Sequence, residues 1–418
     1  MLIEQSNAFT EWKLYMYLLR CAIRGEKIEN EVLEQYKEID SKRIRERSVK
    51  NGQGFMLDEY ISEYAKYRQD EDCERKNSIG NVVIRYEKFK YIRNVLERAK
   101  EENILMVVFK GCVLADLYPQ YIQRDSCDTD IFVYYEDKQR AIDMLLSMDY
   151  KVVEEHSKEE VTVFKHVNQI HVIELHTCIW EDYEGKRLDI LKSCNLTDKD
   201  TLITMQTCGF EVTTFGYEEH LIYQLFHIIK HFSLEGIGVK YLADIALYVD
   251  KYGKYINNET FWNKLEKLDY ARFTYYLMAI CVEFLGMDDL LIRDKQMEMG
   301  DEIVEFMLDM FDAGSADGEK DSWQILGMMT PYFVGEKKSS KNKFARKLAV
   351  AFPRPKDLPD HLSYAKKYPI LLFIAWIHKA ILYFIKYFQR GKSWYSVSEK
   401  LDVAERRVDL MDKMGLLG

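Results

Sequence analysis

Proline and glycine are scarce, with 6 and 20 residues among 418. So few turn formers exclude collagen-like and low-complexity architectures, and most all-β folds, which need a turn about every ten residues. The eight cysteines (Cys21, Cys73, Cys112, Cys127, Cys178, Cys194, Cys208 and Cys281) include no C-x-x-C pair. In a chain this long that excludes a disulfide framework and points to a reduced, cytoplasmic protein. The start, MLIEQSNAFTEWK, has neither the basic opening nor the continuous apolar run of a signal peptide. One long apolar run exists, PILLFIAWIHKAILYFIKYF over 369–388, but His378, Lys379 and Lys386 interrupt it. Ionised groups near mid-membrane are expensive, so it reads as a buried amphipathic helix, with a membrane-surface helix as the alternative and no membrane span. There is no global excess of positive charge either: 59 basic against 69 acidic side chains give −10, and no general pull toward nucleic acid.

The chain is rich in core-forming residues. Apolar residues make up 47%, with 29 tyrosines and 21 phenylalanines, enough for a sizeable core. The length suggests two or three domains at about 150 residues each. Apolar spacings of three and four, such as Trp12, Tyr15 and Leu18, predict a helical amino-terminal region over 1–79, continuing as helix to about 102, with the charged stretch Arg43–Gly54 as a connection. The texture then changes. ILMVVF (104–109) and TDIFVYY (129–135) predict buried strands, Lys138–Met148 a helix, Tyr150–Val153 a strand, and 161–167 with 170–177 a hairpin turning at Asn168-Gln169. Residues 80–215 are therefore expected to form an α+β core with a small mixed sheet. Residues 216–418 read as a helical domain, with helices at 217–232, 239–251, 260–285, 301–312 and 369–389. Within it, 337–392 carries 14 Lys/Arg against Asp357 and Asp360 alone. That stretch could dock on the acidic remainder of the chain or on an acidic partner such as RNA.

The sharpest chemical pattern is RDSCDTDIFV (124–133). On a strand, residues i and i+2 share a face, so Asp128 and Asp130 project side by side. Two adjacent carboxylates are costly unless a cation lies between them, and Mg²⁺ or Mn²⁺ is the natural partner. A solvated strand end after a turn would show the same D-x-D, but three further features favour the metal reading. Glu174 sits in mid-strand, where glutamate is depleted, with His176 two residues on and on the same face. Lys110-Gly111 falls where a strand meets a helix, a place suited to receiving phosphate. Arg124 lies four residues before Asp128, close enough to donate to phosphate.

FKGCVLADLYPQYIQRDSCDTDIFV, followed by MDY (148–150) and VIELHT (172–177), resembles the nucleotidyltransferase-fold proteins of the polymerase-beta-like superfamily, in particular an uncharacterised bacterial branch. HLIYQLFHIIKHF, VKYLADIALYV and AFPRPKDL extend the resemblance, which covers about 80–390. It implies an enzyme that transfers a nucleoside monophosphate from NTP to a hydroxyl acceptor, whether small molecule, protein or RNA. It also implies Asp128, Asp130 and Glu174 as catalytic and metal-holding acids. Lys110, Gly111 and Arg124 become nucleotide-binding or structural residues, and Lys230, His231 and Lys240 cations directed at phosphate. His220, His227 and His231 fall on one helix face, which reads either as satisfied core histidines beside surface lysines or as the second wall of the nucleotide site. The branch pattern departs from the wider superfamily in having Gly111-Cys112 where Gly-Ser or Gly-Gly is usual, and Glu174 where Asp is commoner. Two rivals remain: a catalytically weak nucleotide-binding interaction module, and a toxin of a toxin–antitoxin pair that modifies RNA.

Overall fold

In the computed structural model, residues 7–70, 79–125, 128–153, 160–180, 186–234, 236–313, 362–378, 381 and 406–416 are described. The chain separates into two compact units, residues 1–229 with 237–316, and residues 230–236 with 317–418.

The first unit opens with α1 (Asn7–Arg24), which buries Trp12, Tyr15 and Leu18, then α2 (Asn30–Glu34), α3 (Ser41–Lys50) and α4 (Gly54–Arg68). The charged stretch expected to be a connection is largely helix. Asp40 caps α3 by accepting the Lys42 N–H at 2.9 Å, Ile44 is its one large buried apolar side chain, and Arg45 pairs with Asp58. Arg43, Arg45 and Arg47 find partners in other helices, which the apolar period cannot reveal.

The long helix α5 (Ile79–Glu101) leads into β1 (Met106–Phe109), the short helix α6 (Gly111–Ala115), β2 (Thr129–Val133), α7 (Lys138–Ser147) and β3 (Tyr150–Val152). The expected hairpin follows as β4 (Val161–His166) and β5 (Val172–His176), with Gln169 left-handed at its turn. After α8 (Lys186–Ser193), a second hairpin joins β6 (Ile203–Thr207) to β7 (Phe210–Thr214), where no strand had been assigned. Cys208 and Gly209 both have positive φ there, the backbone of a two-residue hairpin turn.

Among the described residues the strands form one mixed sheet in the order β3-β4-β5-β2-β1-β7-β6. β1 runs antiparallel to β2 and parallel to β7, and β2 runs parallel to β5. Val108, Ile131 and Ile173 turn one face of the sheet onto Ile92, Val95 and Ala99 of α5 and onto Met144 and Leu145 of α7. The opposite face carries Phe109, Asp130 and Glu174, since Phe109 and Glu174 both stand opposite Asp130 in the register.

Helices complete the unit: α9 (Tyr217–Leu234, its last residues in the second unit), α10 (Lys240–Tyr252), α11 (Asn258–Lys267), α12 (Ala271–Leu285) and α13 (Glu302–Ala313). The single helix expected over 260–285 is two. Asp269, left-handed at φ 57°, breaks it without any proline or glycine to mark the place. In the second unit, α14 (Ser363–Lys367) packs around Leu362, Ala365 and Ala375, and 372–378 is helical. Most of the basic stretch 337–392, and much of the helix expected over 369–389, lie outside the described residues. No helix among the described residues is long and apolar enough to cross a membrane.

Candidate active site

β1 delivers Phe109 into an aromatic nest, stacked on Phe215 with centroids 5.2 Å apart and edge-on to Tyr223 at 4.9 Å. The chain then reverses. Lys110 adopts φ 57° and ψ −122°, and Gly111 φ 30°. This is glycine territory. A lysine held there costs about 1–3 kcal/mol and persists only where surrounding contacts impose it. Two contacts do so: the Lys110 N–H donates to His220 Nε2 at 3.1 Å, and Arg124 Nη1 donates to the Gly111 carbonyl at 3.4 Å.

The turn aims Lys110 Nζ at Asp130 Oδ2, 3.0 Å away, with the Phe109 and Tyr223 rings each 5.8 Å from the ammonium. Burial works against both charges, but each outweighs that penalty for the other. The Asp130 carboxyl is held down at about 2, helped by His176, and the Lys110 ammonium is held above the ordinary lysine range. Asp128 behaves oppositely: burial, and then the neighbouring Asp130 charge, raise its carboxyl above the usual range, against the pull of Lys110 and Lys240. Two carboxylates two residues apart thus have their proton affinities pushed in opposite directions, an arrangement typical of catalytic sites.

Parallel pairing sets Glu174 beside Asp130. His176 Nε2 lies 3.3 Å from Asp130 Oδ1 and 3.6 Å from Glu174 Oε2, within ion-pair range but without hydrogen-bond geometry, so this buried nitrogen has no hydrogen-bond partner. Burial opposes its protonation, and the two carboxylates outweigh that and raise its pKa. Ligand atoms of Asp130, Glu174 and His176 all fall within 4.8 Å of one another. Carboxylate oxygens from two strands, with Asp128 close enough to feel both, and an imidazole nitrogen without a hydrogen bond form a donor set able to hold a metal ion.

The residues expected to act together are therefore partly assembled. Lys110, Asp128, Asp130 and Glu174 converge, and the charge of Lys240, the first residue of α10, reaches Asp128. Arg124 is engaged elsewhere, with both oxygens of Asp244 at 2.7 and 2.9 Å, while Tyr118 donates to the same carboxylate at 2.8 Å. Lys230 and His231 fall in the end of α9 that groups with the second unit. His227 lies against Tyr223 and Tyr241, with ring centroids 6.2 Å away in each case. Cys112 is buried, its thiol pushed up to about 12 by that burial, and Cys127 lies outside the described residues. The residue that sequence reasoning noticed without assigning is His176. The i, i+2 spacing from Glu174 places it on the acidic face, and only the register brings its nitrogen to Asp130 as well.

Two cavities flank Arg124, and one of them reaches Asp128. One lies between Arg85, Lys88 and Phe89 of α5, Gly111 and Asp128. The other runs between Gln53, Met56, Arg124, Lys240 and Asp244. A wall from α10 was expected. The walls from α5 and from the start of α4 were not.

Residues 79–286 match the family described as uncharacterised nucleotidyltransferases, a span that includes the sheet, the acids and the first helices after them. The chain thus carries a nucleotidyltransferase domain and is an enzyme of that class. Among solved structures it is similar to the antibiotic-resistance factor ANT(2'')-Ia. The crystal structure of that protein with adenylyl-2''-tobramycin is 11% identical with a TM-score of 0.32, over 43% of this chain and 95% of that one. Its solution structure is 13% identical with a TM-score of 0.31, over 45% and 92%. No curated protein sequence matches the chain.

Proposed function

We infer that the protein transfers a nucleoside monophosphate from a nucleoside triphosphate to a hydroxyl-bearing acceptor. The observation that supports this most is the convergence of Asp130, Glu174 and His176 beside Lys110, within the span that matches the nucleotidyltransferases. Asp128, Asp130 and Glu174 would hold Mg²⁺ or Mn²⁺, with His176 as a further donor. A divalent cation bound there supplies positive charge to the attacking and leaving oxygens.

The chain's own groups do the rest. The acceptor oxygen forms the new bond to the α-phosphorus as the bond to the bridging oxygen breaks, and pyrophosphate leaves with that electron pair. Glu174 takes the hydroxyl proton: it is partly exposed, whereas Asp130 is engaged by Lys110. Lys110 and Lys240 offset the charge of the triphosphate, Gly111 lets backbone approach it, and Arg124 steadies that turn through the Gly111 carbonyl. The acceptor is a small molecule, a protein or an RNA, and the free thiols among the described residues suit a cytoplasmic setting.

The test is incubation with Mg²⁺ and each labelled nucleoside triphosphate alongside candidate acceptors. Metal-dependent pyrophosphate release that disappears in Asp130→Asn is the expected result. Release from no triphosphate, or undiminished release by the variant, overturns the assignment.

A further inference from the structure

The Lys110–Gly111 turn is fastened by residues far away in the chain. Its strand-end N–H is partly buried, where an unpaired donor is costly, and the partner it finds is a side chain 110 residues on. That partner, His220, is itself immobilised. It is almost wholly buried in the first turns of α9, edge-on to Tyr248 at 5.4 Å and to Phe215 at 6.0 Å. Tyr248 is in turn tied to α9 by a hydrogen bond from its hydroxyl to the Tyr217 carbonyl at 3.0 Å. On the other side of the turn, Arg124 reaches the Gly111 carbonyl while Asp244 of α10 grips its guanidinium. The helices that follow the sheet thus hold both ends of a backbone segment whose conformation its own residue type disfavours.

We propose that His220 is a positioning residue: by accepting the Lys110 N–H on Nε2 it keeps the turn left-handed and so keeps the Lys110 ammonium on Asp130. Without that acceptor, Lys110 relaxes toward the backbone region its Cβ favours, which redirects the side chain away from the acids. The role requires an imidazole that is neutral, with its proton on Nδ1. Burial, with Arg124 and Lys110 nearby, pushes the His220 pKa down to about 3, so the acceptor persists across the physiological range. The catalytic meaning of this clamp rests on the reading of Lys110 and Asp130 as part of a nucleotidyl-transfer centre; the clamp itself does not.

The experiment measures modification of individual lysines by an acetylating reagent, read by peptide mass spectrometry, together with metal-dependent pyrophosphate release. In the wild type Lys110 is protected by its pairing with Asp130. Removing a buried acceptor in His220→Ala is expected to raise Lys110 labelling about tenfold and to lower turnover by a similar factor. His220→Gln, whose amide oxygen reaches about as far as Nε2, should restore both, whereas His220→Met, which fills the space without a comparable acceptor, should not. Lys110 labelling unchanged in a folded His220→Ala protein overturns the clamp. If labelling rises but the wild type releases no pyrophosphate, the clamp stands and the nucleotidyl-transfer reading fails. Should His220→Ala not fold, amide hydrogen exchange in the wild type decides: a slow Lys110 N–H is expected, and one that exchanges as fast as an open loop refutes the proposal.

Discussion

Arg124 and Asp244, 120 residues apart, form a two-pronged ion pair with contacts of 2.7 and 2.9 Å, and Tyr118 donates to the same carboxylate. The pair joins the segment before β2 to α10, and so ties the strand that carries the acids to the helix that begins with Lys240. Breaking a buried pair from one side leaves an uncompensated charge. Asp244→Ala should therefore destabilise the protein by about 3–5 kcal/mol in urea titration, and replacing both partners with leucine should recover much of that loss. A single variant as stable as the wild type would show the pair to be energetically idle.

Removing the charge of Asp130 affects two properties at once. Asp130→Asn should abolish metal-dependent turnover, and because Lys110 at 3.0 Å loses its counter-charge it should also lower stability by about 1–3 kcal/mol. Glu174→Gln, at a partly exposed position beside His176, should cut turnover by about a hundredfold or more with less change in stability. Parallel melts and pyrophosphate assays separate the two. Equal stability losses in both variants would contradict the placement.

Acid should weaken the fold through two buried imidazoles. His171, held between the Thr129 and Tyr150 hydroxyls at 2.9 and 2.6 Å, and His220 both have pKa values pushed down by burial to about 3 from 6.5. Between those values the unfolded chain binds protons that the folded chain does not, so stability rises with pH there. It is fully present above about 6.5 and is lost progressively as pH falls toward 3. Urea midpoints measured from pH 7.5 down to 4.5 should fall, and the slope should flatten in His171→Gln. A midpoint independent of pH over that range would rule this out.

Lys240 acts at longer range. Its charge favours the ionised form of Asp128, and it lines the cavity shared with Arg124 and Asp244. Lys240→Ala should weaken triphosphate binding by about tenfold at low salt, with the difference shrinking as salt rises, because exposed charges are screened. Calorimetric titration at two ionic strengths checks this, and unchanged affinity at both would place the phosphates elsewhere.

The sequence by itself determined what depends on neighbours along the chain. The period of two along a strand put Asp128 with Asp130, and Glu174 with His176, on shared faces; short β-branched runs marked β1 and β2; and the Lys110-Gly111 step marked the reversal between strand and helix. These are consequences of local backbone geometry and hold whatever the strands pair with. Local patterning failed where the deciding contacts were distant. α3 was read as a connection because Arg45 and Arg43 find Asp58 and Glu11 in other helices, and the break at Asp269 carries no proline or glycine to announce it. Only the tertiary structure decided that Glu174 stands opposite Asp130, that His176 reaches both, that Arg124 is held by Asp244, that α5 walls the cavity beside Asp128, and that His220 governs the turn at Lys110. Each of these joins segments tens to more than a hundred residues apart. Which distant groups meet is settled by burying apolar faces and satisfying buried polar groups across the whole fold, and no periodicity within a single segment encodes that choice.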